Sequence, residues 1–285
     1  MRIHLRNRYL TLEEPAVMGV LNVTPDSFFD GGRYLSLDLA LSRAREMVAQ
    51  GVDIIDVGGE STRPGARSLD AEEEANRVVP VIRQIKMEMD VPVSVDTYKE
   101  SVARRAVEEG AADIINDISG LRFSPRMAAT VAELEVPVVI MHIKGTPENM
   151  QRNPEYTDVI AELTEYFKER VRMARSAGIA LDRMLLDPGI GFGKRLQDNI
   201  DILKRLQTFL VFNCPLMVGV SRKSFLGALG GKEDPAERLP ETLIAVVSAA
   251  MNGASVLRVH DVDAAVRALK VARALGLLPP HKEEF

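Results

Sequence analysis

Polar side chains come directly after short apolar runs at many points along this chain. Asp96 ends the run Val-Ser-Val, Asn116 follows Ile-Ile, and Asp187 follows Leu-Leu. Two carboxylates and an amide can hydrogen-bond to a flat heterocycle that carries several N–H and C=O groups. The same two carboxylates could instead form the acid and base pair of a glycoside hydrolase. Both interpretations predict one polar pocket, whereas capping would explain a single residue such as Asp117.

Cationic and hydroxyl side chains form a second set, which suits an anion. Arg258 and His260 alternate along one extended run, so both would point to the same side and could hold a diphosphate. The segment Ser221-Arg222-Lys223 places a serine beside two cations at a predicted helix start, where backbone N–H groups also bind anions. Arg63 can fork onto a phosphate. This set predicts an anion site beside the polar pocket.

Three further positions complete the candidate site. Asn22 offers an amide to a phosphate or an oxygen to Mg²⁺, which takes few protein ligands and keeps phosphate oxygens and waters. Phe28, in the long loop that Asn22 opens, would either close over a substrate or pack in the core. Phe192, between two glycines, would contact a ligand or pack at the rim. His142 could be catalytic, but a place at the rim is the interpretation that we favour.

The elements that must position these residues repeat eight times. Each unit has a short apolar run, a loop rich in Pro, Gly, Asn, Asp and Ser, and a longer amphipathic stretch. Strands that are apolar on both faces suit a parallel sheet covered by helices, and eight such units in 285 residues match a closed barrel. The predicted strands are 16–21, 53–57, 92–95, 113–115, 137–141, 184–186, 216–220 and 255–259, and the helices lie at about 36–50, 70–89, 99–109, 124–135, 155–177, 196–210, 235–252 and 261–275.

The predicted fold class is therefore α/β, a (β/α)₈ TIM barrel formed by residues 1–285 as a single domain. An N-terminal β-hairpin within residues 1–15 is expected to close the bottom of the barrel, because apolar residues flank its polar turn. The loops after the strands are longer than those after the helices. This asymmetry predicts that function lies at the carboxyl ends of the strands.

Composition narrows the class of protein. The net charge of −5 gives no reason to expect nucleic acid, because such binding usually needs a basic face. The one cysteine, Cys214, allows no intramolecular disulfide. It lies next to Pro215 at the start of an apolar run, which predicts a buried thiol. No segment has the ~20 apolar residues of a membrane span, and the N-terminus lacks an apolar signal. We expect a cytoplasmic protein.

The loops together resemble those of the dihydropteroate synthase family. The resemblance is carried by Asn22-Val23-Thr24-Pro25-Asp26-Ser27-Phe28, Gly58-Gly59-Glu60-Ser61-Thr62-Arg63-Pro64-Gly65, Asp187-Pro188-Gly189 with Gly191-Phe192-Gly193-Lys194, Ser221-Arg222-Lys223-Ser224 and Arg258-Val259-His260-Asp261. It spans almost the whole chain in order. It implies condensation of 6-hydroxymethyl-7,8-dihydropterin diphosphate with p-aminobenzoate, giving dihydropteroate and pyrophosphate in folate synthesis.

The resemblance also implies roles for individual residues. Asp96, Asn116, Asp187 and Lys223 would hold the pterin, with Arg258 against its face; Asn22, Arg63, Arg258 and His260 would hold the diphosphate, with Mg²⁺ near Asn22; and Thr62, Pro64, Phe28, Phe192, Lys223 and Ser221 would shape the p-aminobenzoate site. Asp96, Asp187, Lys223 and Arg63 would act in catalysis. A homodimer and competition by sulfonamides are further implications.

Two other functions remain open from the sequence. A pterin-binding methyltransferase domain, which passes a methyl group from methyltetrahydrofolate to a corrinoid, would share the barrel and the Asp/Asn pocket. It would have no use for a diphosphate site, so the residues of that site discriminate against it: Arg63, Ser221 to Lys223, and Arg258 with His260. A catalytically silent paralogue would retain the site and differ only in turnover.

Overall fold

The computed structural model is a closed barrel of eight parallel strands with helices between them. It describes residues 1–6, 8–23, 32–61 and 68–278, with the backbone alone for 32–36. The barrel order is β10-β3-β4-β5-β6-β7-β8-β9, so each strand lies beside its neighbour in sequence and the last closes on the first. The predicted (β/α)₈ barrel is confirmed. The strands are β1 (Arg2–His4), β2 (Tyr9–Thr11), β3 (Ala16–Asn22), β4 (Ile54–Gly58), β5 (Val93–Asp96), β6 (Ile114–Asp117), β7 (Val138–Met141), β8 (Met184–Asp187), β9 (Leu216–Gly219) and β10 (Ala254–Val259).

The helices follow the predicted positions with local differences. They are α1 (Gly32–Ala49), α2 (Ala71–Glu88), α3 (Glu100–Glu108), α4 (Met127–Leu134), α5 (Val159–Ser176), α6 (Leu196–Lys204), α7 (Ser224–Gly230), α8 (Leu239–Met251) and α9 (Val262–Ala274). Helix α5 begins later than the predicted 155 because the Asp158 side chain caps the N–H groups of Ile160 and Ala161. Helix α7 confirms the helix start expected at Ser221-Arg222-Lys223, but its extent was not predicted, since its seven residues include two glycines and carry little periodicity.

Two predicted helices are also divided. The prediction of one helix over 196–210 is wrong at its end, because α6 stops at Lys204 and a 3₁₀ helix follows over Leu206–Phe212. The stretch 235–252 contains a separate 3₁₀ turn over Pro235–Glu237 before α8 begins. In the stretch 235–252, Pro235 and Pro240 each lie in the first turn of an element, which explains its division, because proline favours the first turn of a helix and disrupts its interior.

The N-terminal hairpin closes the bottom of the barrel as predicted. Strands β1 and β2 pair antiparallel, with Ile3 opposite Leu10. Ile3, Leu5 and Leu12 are buried in one apolar cluster with side chains from the interior of the barrel strands. Tyr9 instead remains exposed and stacks on His4. Burial of these apolar side chains stabilises the barrel floor and leaves the opposite end for the polar site.

The register of the parallel strands brings the predicted polar residues to that opposite end. Gly58 is level with Asp96, and Asp96 with Asn116. Met141 is level with Asp187, and Arg258 with Gly219. Burial raises the pKa of the Cys214 thiol to about 12, which fits the prediction of a buried, unreactive side chain. Within the described ranges, every helix is too short or too polar to span a bilayer.

Candidate active site

A guanidinium held between two carboxyl groups lies at the centre of the site. Arg258 donates from Nε to Asp56 Oδ2 at 2.7 Å and from Nη2 to Asp96 Oδ2 at 2.7 Å. Asp56 is fully buried on β4, and Asp96 is 8% exposed on β5. Burial raises the pKa of Asp96 to about 7, against the opposing effect of the Arg258 charge, and Asp56 raises it further. Asp96 is therefore poised between its two protonation states near neutral pH.

Asn116 joins this array from β6. Its Nδ2 donates to Asp56 Oδ2 at 3.1 Å, and its side chain is buried. Its Oδ1 is buried and has no hydrogen-bond partner among the described residues. A buried acceptor left unpaired costs free energy, so this atom calls for a donor from a ligand. Asp117 turns away and accepts the backbone N–H groups of Ser119 and Leu121, which agrees with a turn-forming role.

Lys223 and Phe192 form one wall of the site. The Lys223 ammonium lies 4.6 Å from the centre of the Phe192 ring and donates to the carbonyl of Ile190. It also lies 3.8 Å from the position that a Cβ on Gly219 would occupy, beside Arg258. Burial lowers the pKa of Lys223 to about 8, while the negative charge of Asp187 opposes that shift. Lys223 can therefore act as a cation whose charge is sensitive to what binds beside it.

Asp187 ends β8 and begins the glycine-rich loop. Its Oδ1 accepts the Gly189 N–H at 2.7 Å, and its side chain is 4% exposed. Burial raises the pKa of Asp187, and the nearby charge of Lys223 offsets part of that shift. Gly189 has φ of +68°, and a Cβ there would stand 2.0 Å from the His142 carbonyl oxygen. Only glycine permits this close packing of the loop against β7.

The predicted anion site is assembled in part. His260 Nδ1 lies 3.0 Å from Ser221 Oγ, and the His260 backbone N–H donates to the same oxygen at 3.2 Å. Arg222 does not join them, because its guanidinium forms an ion pair with Asp261, at 2.6 Å from Nη2 to Oδ1. Of the two cations expected beside Ser221, Lys223 alone faces the site.

Asn22 lies beside Asp96. A Cβ on Gly58 would stand 3.4 Å from Asn22 Oδ1 and 3.6 Å from Asp96 Cβ, so both side chains approach the same glycine. Among the described residues, no group of three His, Cys, Asp or Glu side chains could hold a metal ion. A single amide oxygen fits Mg²⁺ only where phosphate oxygens and waters supply the other ligands.

A buried lysine and histidine lie behind the glycine-rich loop. Lys194 Nζ is 3.0 Å from His142 Nδ1 and donates to the Phe192 carbonyl at 3.2 Å. Burial lowers the pKa of Lys194 to about 7, and burial with the charge of Lys194 lowers that of His142 well below its usual range. A neutral His142 therefore accepts from Lys194. This arrangement favours a supporting place for His142 at the rim.

Comparison with known proteins identifies the family. The model of the pterin-binding enzymes matches residues 18–260. Dihydropteroate synthase from Escherichia coli K12 is 48% identical over 274 residues, which cover 96% of each chain. The chain belongs to the pterin-binding enzyme family, among its dihydropteroate synthases.

Solved structures of this family superpose closely. The Xanthomonas albilineans dihydropteroate synthase with 4-aminobenzoic acid has a TM-score of 0.90 at 43% identity, covering 98% of this chain and 99% of that one. The same enzyme in complex with 7,8-dihydropteroate has a TM-score of 0.88 at 40% identity, covering 98% and 100%. The resemblance inferred from the loop motifs is therefore confirmed at the level of family and fold.

Some predicted residues lie outside the described ranges, and two important ones were not predicted. Phe28, Thr62, Arg63 and Pro64 belong to the first group, and their expected family roles stay predictions. Asp56 and Lys194 belong to the second. The signal for Asp56 was a carboxylate inside the apolar run Ile-Ile-Asp-Val, and for Lys194 a lysine that ends a glycine-rich loop.

Proposed function

We propose that this protein condenses 6-hydroxymethyl-7,8-dihydropterin diphosphate with p-aminobenzoate, giving 7,8-dihydropteroate and pyrophosphate. The observation that carries the proposal is an array at the carboxyl ends of the barrel strands, in which buried Asp96, Asn116 and Asp187 lie with the partly buried cations Lys223 and Arg258. The array has acceptors for ring N–H groups and cations beside them. The dihydropteroate synthases that match almost the whole chain favour the same reaction.

Recognition of the pterin would rest on complementary hydrogen bonds. The unpaired Asn116 Oδ1 and the carboxyl group of Asp96 would accept N–H groups from the ring. Lys223 would donate to a ring acceptor, and Arg258 would lie against the ring. A pocket of this kind rejects a ring that lacks the matching groups, because its buried polar atoms would then stay unpaired.

Cleavage of the carbon–oxygen bond to the diphosphate would begin the reaction. Departure of the diphosphate leaves a cation on the pterin methylene, which the electron-rich ring delocalises. Ionised Asp96 or Asp187 would stabilise that cation through space. Ser221, His260 and Arg258 would hold the departing anion, together with Arg63. Mg²⁺ bound to the diphosphate and Asn22 would neutralise leaving-group charge.

Attack by the arylamine would complete the reaction. The p-aminobenzoate nitrogen is weakly basic, so it attacks without a strong enzyme base and releases one proton on forming the new C–N bond. Phe192 would pack against its ring, and Lys223 and Ser221 would border the slot. Sulfonamides, as arylamines with an anionic group, would compete there. No covalent enzyme intermediate is required.

The test is direct assay of the purified protein. With Mg²⁺, the pterin diphosphate and labelled p-aminobenzoate, we expect labelled dihydropteroate and one pyrophosphate per product. If both substrates bind and no product forms, the synthase proposal is wrong and a catalytically silent paralogue is favoured. If methyltetrahydrofolate binds and pyrophosphate does not, the methyltransferase alternative is favoured.

We also propose a homodimer in the cytoplasm, formed through α8 and α9. Ile244 and Met251 are seven residues apart on α8 and are 73% and 53% exposed. Val271 and Leu275, at the end of α9, are 57% and 69% exposed. Exposed apolar side chains that share neighbouring helix faces are typical of an interaction surface. A C₂ dimer would cover these side chains with the same surface of a second copy.

A further inference from the structure

Asp56 is a buried carboxyl group to which the loop resemblance assigns no role, and its Oδ1 has no hydrogen-bond partner among the described residues. It lies in the middle of β4, fully buried, and both N–H bonds that reach it come from residues expected to hold the substrate. Arg258 Nε and Asn116 Nδ2 donate to the same oxygen, Oδ2, at 2.7 and 3.1 Å. One carboxyl oxygen of Asp56 therefore accepts hydrogen bonds both from Asn116, in the pterin pocket, and from the Arg258 guanidinium beside it.

The contact with Asn116 decides which way its amide faces. A carboxylate only accepts hydrogen bonds, so it selects the orientation in which Nδ2 points to Asp56. The amide oxygen must then point away, and Asn116 Oδ1 is the buried atom without a partner among the described residues. An amide without such a neighbour could present either its oxygen or its NH₂ group to a ligand.

The contact with Arg258 fixes the guanidinium. Asp56 binds Nε while Asp96 binds Nη2, so two strands hold one planar group from two sides. A guanidinium held by two carboxyl groups has lost its rotamer freedom before a ligand binds. Since the contacts lie on Nε and Nη2, the edge that carries Nη1 is the one left for an anion.

We infer that Asp56 is a positioning residue that fixes the Asn116 amide and the Arg258 guanidinium, so that the pocket accepts an N–H donor and presents a cation beside it. This inference rests on the proposed function and deepens it. It makes Asp56 responsible, through Asn116 and Arg258, for which ring tautomer and which heterocycle the pocket selects. The ligand class selected is a ring that presents an N–H group to Asn116.

The first experiment uses Asp56→Asn, which keeps the shape and removes the charge. We would measure by calorimetry the binding of 6-hydroxymethyl-7,8-dihydropterin and, separately, of Mg²⁺–pyrophosphate. The pterin should bind at least about tenfold more weakly, because a charge-assisted acceptor is lost. Pyrophosphate should bind equally well or more tightly, because one negative charge beside Arg258 is gone.

The matched control is Asp53→Asn. Asp53 precedes the same strand and also carries a carboxyl group, but it accepts the Val17 N–H at 2.7 Å at the other end of the barrel. Its substitution should leave both affinities unchanged. The inference would be overturned if Asp56→Asn weakened pterin and pyrophosphate binding to the same extent, or if it left pterin binding unchanged. Failure of the wild-type protein to form product would instead count against the proposed function.

A second variant keeps the inference testable if Asp56→Asn does not fold. In Asn116→Asp the new carboxyl group faces Asp56, Asp96 and Arg258. Only its protonated form can donate to Asp56 while its carbonyl oxygen accepts from the ring. Relative to wild type at each pH, pterin binding by Asn116→Asp should improve as pH falls from 8 to 6. If binding relative to wild type improves as pH rises, Asp56 does not orient residue 116 and the inference fails.

Discussion

Replacement of Lys194 by methionine tests how strongly the protein interior around the site opposes charge. The Lys194 side chain is 4% exposed, and burial lowers its pKa from the ordinary value of 10.5 to about 7. Between those two pH values the unfolded chain holds a proton on this lysine that the folded chain has released. The free energy of unfolding of the wild type must therefore rise with pH across this window.

The magnitude follows from the two pKa values. Keeping Lys194 buried destabilises the fold by roughly 4 kcal/mol at pH 7 and by about 2 kcal/mol at pH 9. Methionine does not titrate, so that pH-dependent part disappears in Lys194→Met. The variant also leaves His142 Nδ1 and the Phe192 carbonyl without their donor, at about 1–3 kcal/mol for each buried acceptor. That second cost is the same at both pH values, because neither acceptor titrates between them.

Urea unfolding at pH 7 and pH 9 separates the two effects. From pH 7 to pH 9 the wild type should gain about 2 kcal/mol relative to Lys194→Met. Lys223 titrates in the same range in both proteins, and its charge is one of the causes that lower the pKa of Lys194. Lys144→Met, which removes a neighbouring lysine that is 43% exposed, serves as the control. An equal difference between wild type and Lys194→Met at the two pH values would refute the reasoning, because Lys194 would then keep its proton inside the fold.

Four further outcomes are expected. Pterin affinity should fall as pH decreases from 8 to 6, because Asp96 with a pKa of about 7 loses its charge. Asp96→Asn should remove this pH dependence and weaken pterin binding far more than pyrophosphate binding. Equal weakening of pterin and pyrophosphate binding would contradict the assignment of Asp96 to the pterin pocket. Calorimetry should show tight Mg²⁺ binding only with pyrophosphate present, since Asn22 alone is a weak site, and tight binding without it would point to a metal site made by the protein. Ile244→Asp should convert a dimer to a monomer in light scattering, whereas Val211→Asp, at a similarly exposed apolar residue away from α8, should not; a dimer that survives the first change would exclude α8 from the interface. Leu5→Ala should lower the free energy of unfolding by about 2–4 kcal/mol through a cavity in the barrel floor, with unchanged KM values, and altered KM values would show that the hairpin influences the site.

The alternation of apolar runs and amphipathic stretches in the sequence was enough to predict the barrel but not its short helices. Each apolar run became a strand within one or two residues, because a parallel sheet buried on both faces requires such runs. The start of helix α7 was expected but its extent was not, since seven residues with two glycines carry no helical period. The end of the predicted helix at 196–210 was wrong, because its last turn is 3₁₀, which periodicity does not distinguish from α.

The candidate site could be predicted where function shows as a polar residue at the end of a strand. Asp96, Asn116 and Asp187 met that condition, and the register brings their strands level at one end of the barrel. Asp56 did not, because it lies inside its strand and its importance depends on a register that places it beside Arg258 and Asn116. Long-range pairing of charges is a property of the closed barrel, so the sequence alone leaves it undetermined.

The balance of charges in the site accounts for the buried ion pairs of Arg258, although burying charged groups costs free energy. Two carboxyl groups, Asp56 and Asp96, share one guanidinium in a pocket from which water is largely excluded. Replacing buried ion pairs by apolar residues is often neutral or stabilising, so stability does not account for them. The pocket has more buried acceptors than donors, and Asn116 Oδ1 is one of these acceptors. A ring rich in N–H groups, with a cation developing on its methylene, would satisfy them. Burial, with Asp56 beside it, raises the pKa of Asp96, and a ligand that donates N–H groups to the ionised carboxylate should lower that pKa again.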